Sequence, residues 1–183
     1  MRAHMTSGAD IRLIISDIDG VWTDGKITYT GDGNEIKAFN VRDGLAAKLA
    51  QRAGIIIALV TSRRSVALER RARELGIVEL HQGEGNKLEA SERLAQRLGV
   101  PFEHILYAGD DLPDLAPMMR AGISAAPSDA AAEVRGIATW KLESAGGAGA
   151  FREIVERILR DRGEWEGLIR EFASGNKPEA SSI

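Results

Sequence analysis

The sequence of 183 residues contains no cysteine, which excludes a disulfide framework and any thiolate metal site. It has no apolar run long enough to span a bilayer, so no membrane partner is expected. Residues 1–8 lack the apolar core of an export signal, which points to a cytoplasmic protein. One sign of charge does not dominate either: 24 Lys and Arg against 27 Asp and Glu leave a net charge of −3. The signs are well mixed along the chain, so no basic field invites nucleic acid. No internal repeat is evident. What is present is ordinary for a globular protein, with 44 % hydrophobic and 28 % charged residues. The length suits one well-cored domain and is short for two.

Short β-like runs alternate with helical ones. Residues 11–16 read as a buried strand. Residues 26–30 and 35–39 flank Gly31-Asp32-Gly33-Asn34 and read as a β-hairpin. Asp43 has the place of an N-cap, with Leu45, Leu49 and Ala53 on one helical face and Gly54 as the stop. The run 55–60 is apolar throughout and reads as a strand buried on both faces. Helix 65–75, strand 78–80, helix 88–98, strand 105–108, helix 112–120, strand 123–126, helix 130–135 and strand 138–142 follow. An amphipathic helix covers 151–160, with 165–172 as a candidate extension. This alternation predicts an α/β fold with a doubly wound, Rossmann-like, mainly parallel sheet over 9–172, and a flexible tail over 173–183.

Sheets of this kind bind ligands beyond the carboxyl ends of their strands. Asp17 and Asp19 follow the first strand, Thr61-Ser62-Arg63 the second, and Gly109-Asp110-Asp111-Leu112-Pro113-Asp114 a later one. Lys87 lies between them. Singly, each is an ordinary capping or solvated residue; Asp111 is a plausible N-cap whatever else it does. Capping does not account for three such sets at separate strand ends. Carboxylates this close repel, so a metal, a shared proton or a reaction is needed to explain them. An EF-hand is excluded, because the fifth and sixth positions counted from Asp17 are Val21 and Trp22, and from Asp32 are Ile36 and Lys37.

Phosphoryl transfer uses all of these groups. Asp17 and Asp19, two apart on an extended backbone, project to one side. Mg²⁺ takes oxygen ligands and keeps several waters, so Asp17 and Asp110 suffice to hold it. A carboxylate can attack phosphorus, and a second one can protonate the leaving oxygen and then take a proton from water. Thr61 offers a hydroxyl and Lys87 a compact charge to phosphoryl oxygens.

The ordered set Asp-x-Asp-Gly, Thr-x-Arg, Lys and Gly-Asp-Asp-x-x-Asp resembles the haloacid dehalogenase superfamily of phosphatases. The stretches "DIDGVWTDGKITYTGDGNEIKAFNVRDG" and "GGAGAFREI" narrow the resemblance to its subfamily of 3-deoxy-D-manno-octulosonate 8-phosphate phosphatases. The resemblance implies Asp17 as nucleophile and Asp19 as general acid and base. It implies Mg²⁺ on Asp17, the Asp19 carbonyl and Asp110, supported by Asp111 and Asp114. It implies Thr61, with Ser62 beside it, and Lys87 as the phosphate-binding residues. It also implies a homotetramer in which neighbouring hairpins help complete each site.

Spacing agrees that help is needed. The hairpin and one helix fill the stretch between Gly20 and Ile55, and one helix and one strand fill that between Thr61 and Lys87, so no cap domain fits. Met118, Met119, Trp22 and the hairpin residues Ile27, Tyr29, Ile36 and Phe39 are candidates for an interface, with core the preferred reading for the two methionines. A sugar acid also carries a carboxylate, for which Arg63, Arg71 and Arg42 are the candidates. A related nonulosonate 9-phosphate phosphatase has Glu in the place of Arg63 and Lys in the place of Glu74, so this chain leans to the octulosonate. Two departures stand out: Ser62 replaces a glycine, and Ala148 replaces an arginine. A phospho-accepting receiver module is the different-class alternative, but there the lysine comes last in the chain. A phosphatase-like domain of the sialic acid cytidylyltransferase type is a third reading.

Overall fold

The computed structural model describes residues 7–175; the expected tail lies outside the described residues from 176 onward. The chain runs β1 (Leu13–Ser16), β2 (Thr28–Tyr29), β3 (Glu35–Ile36), α1 (Val41–Arg52), β4 (Ile56–Thr61), α2 (Val66–Leu75), β5 (Glu79–Gln82) and α3 (Lys87–Leu98). It continues with β6 (Ile105–Ala108), α4 (Leu115–Arg120), β7 (Ile123–Ala126), α5 (Ala132–Ile137), β8 (Trp140–Lys141), α6 (Ala150–Asp161) and α7 (Trp165–Ala173). Six strands form one sheet in the order β5-β4-β1-β6-β7-β8, and every pairing is parallel. The hairpin β2-β3 stands apart as an antiparallel pair. Among the described residues no cap domain is inserted, and the α/β expectation holds.

Parallel strands covered on both faces need apolar side chains in both directions, and β1, β6 and β7 are buried throughout. Ile14, Leu59, Leu106 and Ile123 point to a core shared with α1, α2 and α6. Their alternates Leu13, Ile15, Val60, Ile105 and Tyr107 point to a second core, against α3, α4 and α5. β1 lies between β4 and β6, and the main chain continues the pairing one residue further, with Asp17 N donating to Ala108 O at 2.9 Å. The carboxyl end of β1 is therefore held from both sides within the sheet. No helix among the described residues is long and apolar enough to cross a membrane.

Several local expectations are corrected. Asn40, not Asp43, caps α1, accepting from Arg42 N at 2.9 Å. The buried face of α1 is Ala46, Ala47, Leu49 and Ala50, while Leu45 is 42 % exposed. In β4 the first residue, Ile56, reaches solvent. α7 is separate from α6, because the chain turns at Gly163 between them. Trp22 is no surface residue: it is buried, its Nε1 donates to Ser16 Oγ at 3.0 Å, and its ring stacks on Phe151 of α6 at 4.1 Å. Met118 is core as preferred, but Met119 is exposed.

Asp43 caps a different helix. Its Oδ1 accepts from Arg152 N at 2.7 Å, in the first turn of α6, where Gly149 at the N-cap has no side chain to offer. Its Oδ2 is buried without a partner. Burial pushes the Asp43 carboxyl up from the usual 3.8 to about 6, against the pull of the Arg152 amide. A carboxyl raised in the folded state keeps its proton there after the unfolded chain has lost it, so its contribution to stability falls as pH rises through this window. Asp43→Asn should therefore gain stability relative to the parent between about pH 4 and 7, by on the order of 3 kcal/mol. Urea denaturation at the two ends of that range checks this; a pH-independent difference contradicts it.

Candidate active site

Three loops meet at the carboxyl ends of β1, β4 and β6 and line a cleft of about 270 Å³. β1 delivers Asp17 and Asp19, β4 delivers Thr61, Ser62 and Arg63, α3 begins with Lys87, and the turn after β6 delivers Asp110, Asp111 and Asp114. Ile27 and Gly25, at the root of the hairpin, close one side.

Asp17, Asp110 and Asp114 each offer a carboxylate oxygen, and the three oxygens lie within 4.8 Å of one another. Lys87 is buried with them, its Nζ 3.0 Å from Asp17 Oδ1 and 2.8 Å from Asp114 Oδ1. Burial, the charge of Asp114 and the rest of the cluster hold the Asp17 and Asp110 carboxyls well above the usual range, although Lys87 opposes this. Burial alone would lower the Lys87 ammonium, but Asp17 and Asp114 outweigh it and the net shift is upward. One ammonium is left facing three carboxyl groups, a donor set of hard oxygens that suits a small divalent cation. Asp114, expected only in support, is a full member of this cluster.

The cluster is braced from below. Asp114 Oδ1 also accepts from Tyr107 Oη at 2.9 Å, and Asp114 Oδ2 faces the amides of Asp110 at 3.2 Å and Asp111 at 3.4 Å. Burial and the charge of Asp114 push the Tyr107 hydroxyl well up, so it stays a donor. Asp111 caps the short 3-10 turn, accepting from Leu112 N at 2.8 Å. Thr61 is buried at the tip of β4, its Oγ1 accepting from Arg63 N at 3.2 Å, and Ser62 Oγ donates to Glu84 O at 3.0 Å. Neither Tyr107 nor the hairpin's Glu35 and Lys37 was singled out in the sequence. Lys37 pairs with Asp19, and Arg63 Nη2 lies 2.5 Å from Glu35 Oε2. The available signal was the two-residue spacing of Glu35 and Lys37, which puts both on one face of the ribbon.

Arg42 and Arg71 are not brought to this cleft. Arg71 packs against Gly44 of α1 and pairs with Glu74 at 3.5 Å. Arg42 lines a separate groove of about 370 Å³ together with Ala148, Arg152, Arg157 and Arg160. That groove is larger than the cleft, but its Glu153 and Glu156 pair with three of its arginines, and the group of carboxylates placed to hold a metal among the described residues lies in the cleft instead. Asp24, at the root of the hairpin, has a local role, accepting from Lys26 N at 3.1 Å.

The loop after β1 has no spare room. Gly20 has φ 96°, and a Cβ there would fall 2.0 Å from Asp110 Oδ2. On its other side a Cβ at Gly146 would fall 2.0 Å from Gly20 O, and Gly147 N donates to Val21 O at 3.0 Å. Gly20→Ala should displace the Asp110 carboxylate and weaken divalent-cation binding by about tenfold or more. Isothermal titration with Mg²⁺ measures this, with circular dichroism confirming the fold; unchanged affinity would contradict the geometry.

Residues 73–154 match the family model of haloacid dehalogenase-like hydrolases. Over 160 residues the chain is 41 % identical to the 3-deoxy-D-manno-octulosonate 8-phosphate phosphatase of Salmonella typhi, covering 87 % of this chain and 85 % of that one. The Moraxella catarrhalis enzyme of the same name, solved in complex with magnesium ion, phosphate ion and KDO, superposes with a TM-score of 0.88 at 38 % identity, covering 90 % of this chain and 95 % of that one. The cobalt-bound Haemophilus influenzae phosphatase gives 0.87 at 37 % identity, covering 91 % and 98 %. With the carboxylates, the lysine and the threonine gathered at one sheet edge, and with likeness of this extent along nearly the whole chain, the protein belongs to the haloacid dehalogenase-like hydrolases, in the family of the octulosonate phosphatases.

Proposed function

We propose that this chain is a Mg²⁺-dependent phosphomonoesterase whose substrate is 3-deoxy-D-manno-octulosonate 8-phosphate, cleaved through an aspartyl-phosphate. The observation that carries the reading is the buried cluster of Asp17, Asp110 and Asp114 against one lysine, in a chain 41 % identical to phosphatases named for that substrate.

Asp17 and Asp110 with the Asp19 carbonyl hold the cation, and Asp114 and Asp111 support them. When bound, Mg²⁺ neutralises the cluster and draws charge from the phosphoryl oxygens. Lys87 and Thr61 orient the phosphoryl group. Asp17 attacks phosphorus while the ester oxygen leaves with a proton from Asp19. Asp19 then takes a proton from water as the water oxygen attacks phosphorus, which frees Asp17 and releases phosphate. Arg63 is the substrate-carboxylate candidate that lines the cleft, and it must exchange Glu35 for the ligand to serve. Arg42 and Arg71 could contribute only across a subunit boundary.

A homotetramer with shared sites belongs to the same reading. Ile27, Tyr29 and Ile36 are 48 %, 62 % and 50 % exposed on a two-stranded ribbon. Such a ribbon is marginal alone and gains from a partner surface. A cytoplasmic location is part of the reading, in keeping with the absence of cysteine.

Purified protein should release phosphate from the octulosonate phosphate with Mg²⁺ and stop on chelation. Asp17→Asn should lose at least about a thousandfold in kcat. An Asp17→Asn variant at parental turnover rules out the nucleophile; preference for a nonulosonate 9-phosphate rules out the substrate. Ile36→Asp should shift the protein to smaller species in analytical ultracentrifugation and lower activity with it. A monomeric parent contradicts the assembly.

A further inference from the structure

Asp19 is gripped by the hairpin of its own protomer. Its Oδ1 accepts from Thr23 Oγ1 at 3.3 Å and from the Lys37 ammonium. Its Oδ2 lies 3.9 Å from Arg63 Nε, beyond hydrogen-bond reach, and has no hydrogen-bond donor among the described residues. Lys37 follows directly on β3, yet its side chain is only 2 % exposed, on a ribbon whose Ile36 next to it is half in solvent. A lysine is covered to this degree only when it is paired. Lys37 is paired twice, with Asp19 and with Glu35 Oε1 at 3.5 Å. Glu35 Oε2 in turn holds Arg63 at 2.5 Å, so one carboxylate bridges the two cations that flank Asp19.

We propose that Lys37 is a positioning residue for Asp19: it fixes Oδ1, which leaves Oδ2 as the oxygen that carries the transferable proton. This rests on the reading of Asp19 as the acid and base of the reaction. In the first step the Oδ2 proton passes to the bridging oxygen as its bond to phosphorus breaks and the bond from Asp17 forms. The charge left on Asp19 is then shared with an oxygen already seated against an ammonium. In the second step Oδ2 takes the proton from the attacking water, and the rotamer is unchanged. The hairpin thus acts inside the reaction centre as well as over it.

The test uses the Mg²⁺-loaded protein and two aryl esters that differ by one para-nitro group, phenyl phosphate and 4-nitrophenyl phosphate. The second has a weakly basic leaving oxygen that departs without much help from an acid. Lys37→Met should lower kcat/KM for phenyl phosphate by on the order of tenfold to a hundredfold, and for 4-nitrophenyl phosphate by less than about threefold. Lys37→Gln, which keeps a donor, should show the same selectivity to a smaller degree. Asp19→Asn is the control and should show the selectivity most strongly. Equal losses on both esters, or no loss, in the Lys37 variants while Asp19→Asn is selective would overturn the role of Lys37. An Asp19→Asn variant without selectivity would overturn the reading beneath it.

Discussion

The repulsion among Asp17, Asp110 and Asp114 is the constraint around which the carboxyl end of the sheet is built. Three carboxyl groups within 4.8 Å are tolerated because each is held by something rigid. Asp17 stands at the tip of the central strand, and Asp110 follows β6 beside it. Asp114 is fixed by a tyrosine hydroxyl, a lysine and two amides. A softer scaffold would let the charges separate into solvent. Here they stay together with a deficit of positive charge, which a divalent cation relieves.

The hairpin extends this logic outward. Its charged residues Glu35 and Lys37 turn towards Asp19 and Arg63, while Ile36 between them turns away. The same two-residue alternation that gives a strand two faces therefore gives this ribbon a site face and an apolar face.

The fold was legible because its strands are short apolar runs closed by polar residues. Residues 105–108 and 123–126 were bounded as the structure has them. Where contrast was low, the reading failed. α1 buries alanines, so its inward face is not marked by large residues, and Leu45 drew attention to the wrong side. Asp43 has the composition of a local cap, but its partner is Arg152, distant in sequence. At the cleft the groups nearest the strand ends could be named from position alone. Tyr107 is hidden in an apolar strand, so only the tertiary fold reveals it, while Lys37 is marked in the sequence by nothing more than its two-residue spacing from Glu35. Arg42 and Arg71 show the converse: residues beside motifs in sequence turn onto other surfaces in space.

The contact of Gly146 and Gly147 with the turn at Gly20 and Val21 carries a consequence for how the protein is made. Asp17 leaves the ribosome early, but the backbone that seals its loop emerges about 130 residues later. Bonds between such distant segments form late, since the loop they close is long. During synthesis the loop after β1 therefore waits unsealed until residues 146–147 have emerged.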